Sequence, residues 1–150
     1  MNKEVATRML SLWGRSDALI SNKRLMLDKS ITLLNRSNIA PGNIGVSAHR
    51  SGGYSDKTLW SVIQQERITE SIHTITQEIE NINKVKRHVE DMIIEEFGGS
   101  CGKPRHVLLS HYRDNQTWKK IAEVNNMHTG DLRLLHTRII YRIAQSIVKV

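Results

Sequence analysis

A single cysteine, Cys101, rules out any disulfide within the chain and leads us to expect a reducing cytoplasm. Aromatic residues make up only 5% of the sequence and turn-rich stretches are few, which argues against a large β-sandwich. Charges at Lys3, Glu4 and Arg8 interrupt the N-terminus, so no signal peptide is read there. No apolar run approaches the ~20 residues that a membrane-spanning helix needs, and no membrane partner is expected. Acidic residues are the scarcer charge, 15 against 22 Lys and Arg, leaving a net +7 and a pI near 9.8. With 150 residues, these absences leave one or two small, mostly helical domains.

That charge is unevenly spread. Residues 1–53 hold eight Lys/Arg against three acids, a net +5, and residues 98–150 hold nine against three, a net +6. Between them, residues 54–97 hold five bases against nine acids, a net −4. Trp13, Ile20, Leu27 and Leu34 recur every seven residues, which predicts a helix from about Lys3 to Arg36. Gly14, with Ser16-Asp17 just after it, is a candidate kink or split in that helix. The stretch 37–55, with Pro41-Gly42, Gly45 and Gly52-Gly53, breaks every period and reads as a loop. It lacks the Gly-Lys-Ser/Thr ending and the preceding strand of a phosphate-cradling loop.

From Asp56 to Phe97 the spacing predicts one long helix. Ile68, Ile72, Ile75, Ile79, Ile82, Val89 and Ile93 form a heptad seam interrupted only by Lys86. At 1.5 Å per residue such a helix is roughly 60 Å long, suited to a coiled coil or to a hairpin with the first helix. The seam is therefore the candidate oligomerisation surface, and its acids are candidate neutralisers of the basic first helix. Gly98-Gly99 supplies the stop, and Pro104 opens a support helix at its first position, with Val107, Leu108 and Tyr112 on its apolar side.

The most informative stretch is 116–144. Thr117 is a natural N-cap, and Trp118, Ile121, Ala122 and Val124 supply the apolar positions of a short helix. Asn125-Asn126 suits a left-handed turn, and Met127 follows as an apolar plug. Leu132, Leu135, Ile139 and Ile143 then make one buried stripe on a second helix. This is the spacing of a helix-turn-helix. Tyr112, Thr117-Trp118, Ile121-Ala122, Asn126-Met127-His128 and Leu132 resemble the fourth region of bacterial sigma factors, with Asn126 and His128 where that family has Gly and Ser. Asn125 stands where that pattern has an apolar residue. Taken with the order of the other segments, the chain resembles the small late-gene activators of phages, the ArpU- and RinA-like regulators. The resemblance implies double-stranded DNA as partner and the cytoplasm of a bacterial host, and leaves open whether RNA polymerase is also contacted.

The expected architecture is all-α: residues 1–97 as a long-helix hairpin or coiled coil that associates into a homodimer or larger homo-oligomer, and residues 98–150 as a helix-turn-helix bundle that binds DNA. With Leu132, Leu135 and Ile139 turned inward, the outward face is Thr129, Gly130, Arg133, Leu134, Thr137 and Tyr141. Arg133 is the candidate for bidentate contact with guanine and Leu134 for a thymine methyl. His128 and Thr129 sit at the helix entrance, Gly130 allows close backbone approach, and Lys119, Lys120 and Arg138 are candidate phosphate contacts. Cys101, His106 and His111 raise a zinc site, but His106 and His111 lie about 140° apart around a helix and a fourth ligand is missing, so no metal or cofactor is expected. His73, His88 and the acidic pairs Glu78/Glu80 and Glu95/Glu96 lack a nucleophile or metal partner, so no catalytic residue is named and no enzyme is expected. Two rivals stand beside the regulator: a small terminase-like DNA-packaging protein, whose motif usually comes first in the chain, and an adaptor that binds RNA polymerase through the sigma-like module.

Overall fold

Seven-residue spacing with few breakers has produced two long helices. The computed structural model describes the backbone of residues 2–47 and 56–149 and the side chains of residues 2–36 and 58–149. All regular structure among the described residues is helical: α1 (Asn2–Ser47), α2 (Asp56–Phe97), α3 (Gly102–Tyr112), α4 (Trp118–Asn125) and α5 (Thr129–Val148), with a 3-10 turn at Gly98–Ser100 between α2 and α3. None of these helices is long and apolar enough to cross a membrane.

By contact the chain divides into two units, one made of Met1–Leu19 with Asn81–Val150 and the other of Ile20–Glu80. In the first, the opening turns of α1 run antiparallel to the closing turns of α2: Lys86 pairs with Asp17, and the Trp13 indole N–H donates to Glu90 at 2.9 Å. Ala6, Leu10 and Trp13 from α1 and Val89, Met92 and Ile93 from α2 enclose Leu108 of α3 and Ile139, Ile143 and Ala144 of α5. A smaller cluster of Val107, Ile121, Ala122 and Leu132 joins α3, α4 and α5, with Trp118 and Met127 at its edge. In the second unit Ile20 and Ile75 are buried and Lys23 pairs with Glu78.

Several sequence expectations change. The loop expected over 37–55 is helical as far as Ser47, because α1 continues to there; residues 48–55 lie outside the described residues. Pro41 removes a single N–H and Gly42 weakens one turn, and neither ends the helix. Gly14 does not split α1, which runs unbroken from Asn2 to Ser47. It is buried where Tyr112 approaches: a Cβ there would meet Tyr112 Cβ at 2.5 Å and its carbonyl carbon at 2.8 Å. Ser16 turns its hydroxyl back to the Trp13 carbonyl at 2.7 Å, so it serves the running helix and not a new start. Pro104 stands third in α3, not first, a position whose N–H is still an orphan. Val124 is 66% exposed and faces away from the core. The acids of α2 in the first unit meet the arginines of α3 and α5 more than the bases of α1.

Candidate nucleic-acid interface

The corner between α4 and α5 is set by short-range chemistry. The Thr117 hydroxyl accepts from the Lys120 N–H at 3.3 Å, capping α4. Asn126 takes the left-handed conformation (φ 52, ψ 43), and the Met127 N–H then returns to the Ala122 carbonyl at 2.9 Å, closing the helix end. The Asn125 side chain donates to the Ile121 carbonyl at 2.8 Å. α5 starts at Thr129 behind His128, whose carbonyl accepts from Asp131 and Leu132.

α5 is anchored by the stripe read from sequence. Leu132, Ile139 and Ile143 are fully buried and Leu135 is half-buried. On the far side, Gly130, Arg133, Leu134, Thr137, Arg138 and Tyr141 are exposed, with Thr129 half-buried at the entrance. Lys119, Lys120 and His128 are exposed on α4 and in the turn. Leu134, 61% exposed, and Tyr141 are large apolar groups left facing solvent on this side. The Thr137 hydroxyl donates to the Arg133 carbonyl at 2.8 Å, so only its oxygen's acceptor capacity faces outward. Beside Tyr141 a groove is lined by Lys3, Thr137, Arg138 and Ile140.

The arginines of residues 98–150 divide into two groups. Arg105 pairs with Glu90 at 3.0 Å, Arg142 with Glu95 at 2.9 Å, and Arg113 with its neighbour Asp114 at 3.0 Å. Arg138, read from sequence as a phosphate contact, is held by Glu96 at 2.9 Å and lies 5.3 Å above the Phe97 ring. Among the described residues no ion pair engages Arg133, Lys119 or Lys120. Lys103 and Lys149 are likewise outside ion pairs among the described residues, so the α4–α5 corner holds three of the five free basic residues of 98–150.

Behind the corner sits a cluster that spacing alone did not reveal. His111 stacks on Trp118 with ring centres 4.0 Å apart, and its Nδ1–H donates to the Gln116 carbonyl at 2.9 Å. His136 Nε2 lies 2.5 Å from the Tyr112 hydroxyl. Burial pushes the Tyr112 phenol up to about 12, and burial together with the charge of His111 lowers the His136 pKa. Both shifts favour a phenol that donates to a neutral imidazole. A signal was available in the sequence, since His136 stands four after Leu132 and three before Ile139, within the buried stripe.

His88 Nε2 is 2.7 Å from Ser146 Oγ, but the Ser146 hydroxyl spends its only proton on the Ile143 carbonyl at 2.6 Å. The imidazole therefore donates to the serine oxygen, the reverse of what an activated nucleophile needs. The seam residues divide by depth: Ile75, Ile82, Val89 and Ile93 are buried, while Ile68, Ile72 and Ile79 are half-buried. No protein-family model, curated protein or solved structure matches the chain.

Proposed function

We propose that this chain is a sequence-specific DNA-binding transcription regulator of the phage type its motif resembles, and not an enzyme. In this reading α4 and α5 act as a helix-turn-helix, α5 enters the major groove, and the long helices form a hairpin that brings two copies together on two half-sites. The observation that carries it is the α4–α5 corner, where Arg133, Lys119 and Lys120 are exposed and outside ion pairs while four neighbouring arginines are neutralised. The first unit holds fifteen Lys/Arg against nine acids, +6 of the chain's +7, which favours a polyanionic partner. Arg133 reads a guanine, Leu134 and Thr137 meet neighbouring base edges, and Lys119 and Lys120 hold the backbone.

Selection of bound sequences from random double-stranded DNA tests this directly, with a recurring motif as the expected result. Arg133→Ala should then cost about 1–3 kcal/mol at one base pair and relax the preference there, with the fold unchanged. Recovery of no motif, together with capture of RNA polymerase by the same corner, would replace the DNA reader with an adaptor.

A further inference from the structure

The unit Ile20–Glu80 exposes more large apolar side chains than it buries. Among its described residues only Ile20 and Ile75 are buried hydrophobics, while Leu25, Met26 and Leu33 on α1 and Leu59, Trp60 and Val62 on α2 are exposed. Leu59 and Trp60 are 61% and 57% exposed. At about 100° per residue, positions 59, 60 and 62 point in different directions around α2, so this end of the helix is apolar on several sides at once. A helix of that kind is stable in water only when covered.

Charge says what covers it. On α1 between residues 20 and 36, Lys23, Arg24, Lys29 and Arg36 face one acid, Asp28, a net +3. On α2 between residues 58 and 80, Arg67 faces Glu66, Glu70, Glu78 and Glu80, a net −3. Within this unit Lys23–Glu78 is the one ion pair among the described residues, so most of both sets is left outside the chain's own pairing. Lys29 and Arg36, seven apart, share one side of α1, and Glu66 and Glu70, four apart, share one side of α2. A unit with one basic side and one acidic side is complementary to itself under a two-fold axis, which sets each α1 on the other copy's α2.

We infer that the exposed apolar surface of this unit is the contact for a second copy of the chain, with Trp60 within it and the α1 bases of each copy against the α2 acids of the other. The heptad seam read from sequence is then not the contact surface, since Ile75, Ile82, Val89 and Ile93 are buried within the chain. The inference rests on the two-copy half of the proposed function and not on its DNA half.

Sedimentation of the full chain without DNA should give twice the 17.2 kDa chain mass at micromolar concentration. A monomer throughout that range, or a closed assembly larger than a dimer, overturns the proposal. Trp60→Glu should give a monomer with an unchanged helical spectrum. Two charge-reversed chains, one with Lys29→Glu and Arg36→Glu and the other with Glu66→Lys and Glu70→Lys, should each be monomeric alone. Mixed in equal amounts they should recover the dimer, because both contacts are again between opposite charges. Dimers in either reversed chain alone, or none in the mixture of two well-folded chains, overturn the assignment. These measurements hold whatever α5 binds: a restored dimer beside a failed DNA selection removes the DNA reading and leaves the contact standing.

Discussion

Gly14 shows how much one side chain decides. Alanine is worth about 1 kcal/mol more than glycine in a helix interior, so a helix-propensity view predicts that Gly14→Ala stabilises the chain. The atoms in the way are Cβ and the backbone carbonyl of Tyr112, at 2.5, 2.8 and 3.0 Å, and none of them is the far end of a flexible side chain. The added methyl must push α1 away from the end of α3, an overpacking cost of about 1–3 kcal/mol. Gly14→Ala is therefore expected to lower the urea midpoint of unfolding with little change in slope, and a raised midpoint would show that the two helices can part freely. Asn126 makes a related point with a polar residue. Its φ of 52 shows asparagine holding the left-handed turn that a residue with a larger side chain rarely adopts.

At the scale of elements, the parts set by local spacing were readable and the parts set by encounters between distant segments were not. The limits of α2, the Thr117 cap, the Asn126 turn and the buried stripe of α5 follow from spacing and capping alone. The reach of α1 past Pro41, the role of Gly14 and the exposure of Val124 depend on costs that tertiary context can override or on what packs nearby. The same holds for the corner of α3, α4 and α5, which joins His111, Tyr112, Trp118 and His136 through contacts that no single helix contains. Because the folded state depresses the His136 pKa below its value near 6.5 in the unfolded chain, the unfolded chain takes up the proton first. The stability this group contributes is whole above about pH 6.5 and is lost as the pH falls through the folded-state value. Denaturation followed from neutral to mildly acidic pH should show that loss, and His136→Gln, which keeps an acceptor for Tyr112 without titrating there, should flatten it. An identical pH profile in the variant would move the effect to another group.

For the whole molecule, net charge alone overstates what a polyanion would meet. The +6 of residues 98–150 invites a prediction of about nine phosphate contacts, one for each Lys or Arg. The structure sets Arg105, Arg113, Arg138 and Arg142 against Glu90, Asp114, Glu96 and Glu95, and leaves Arg133, Lys119 and Lys120 at the proposed interface. Each phosphate neutralised contributes about −0.9 to the slope of log affinity against log salt. The two phosphate contacts assigned to Lys119 and Lys120 give a slope near −2 for each copy bound, against about −8 if all nine took part. Changing Lys119 and Lys120 together to Ala should flatten the slope by about 2 and weaken all sequences alike. Glu96→Gln is the sharper test, because it removes the carboxylate that holds Arg138 without touching the exposed face. Freed, Arg138 can reach a phosphate, and the slope should steepen by about 1. A steep slope in the unaltered chain that Glu96→Gln leaves unchanged would mean that the acids of α2 release their arginines when DNA binds. The charge division seen in the free protein would then not be the one that acts in the complex.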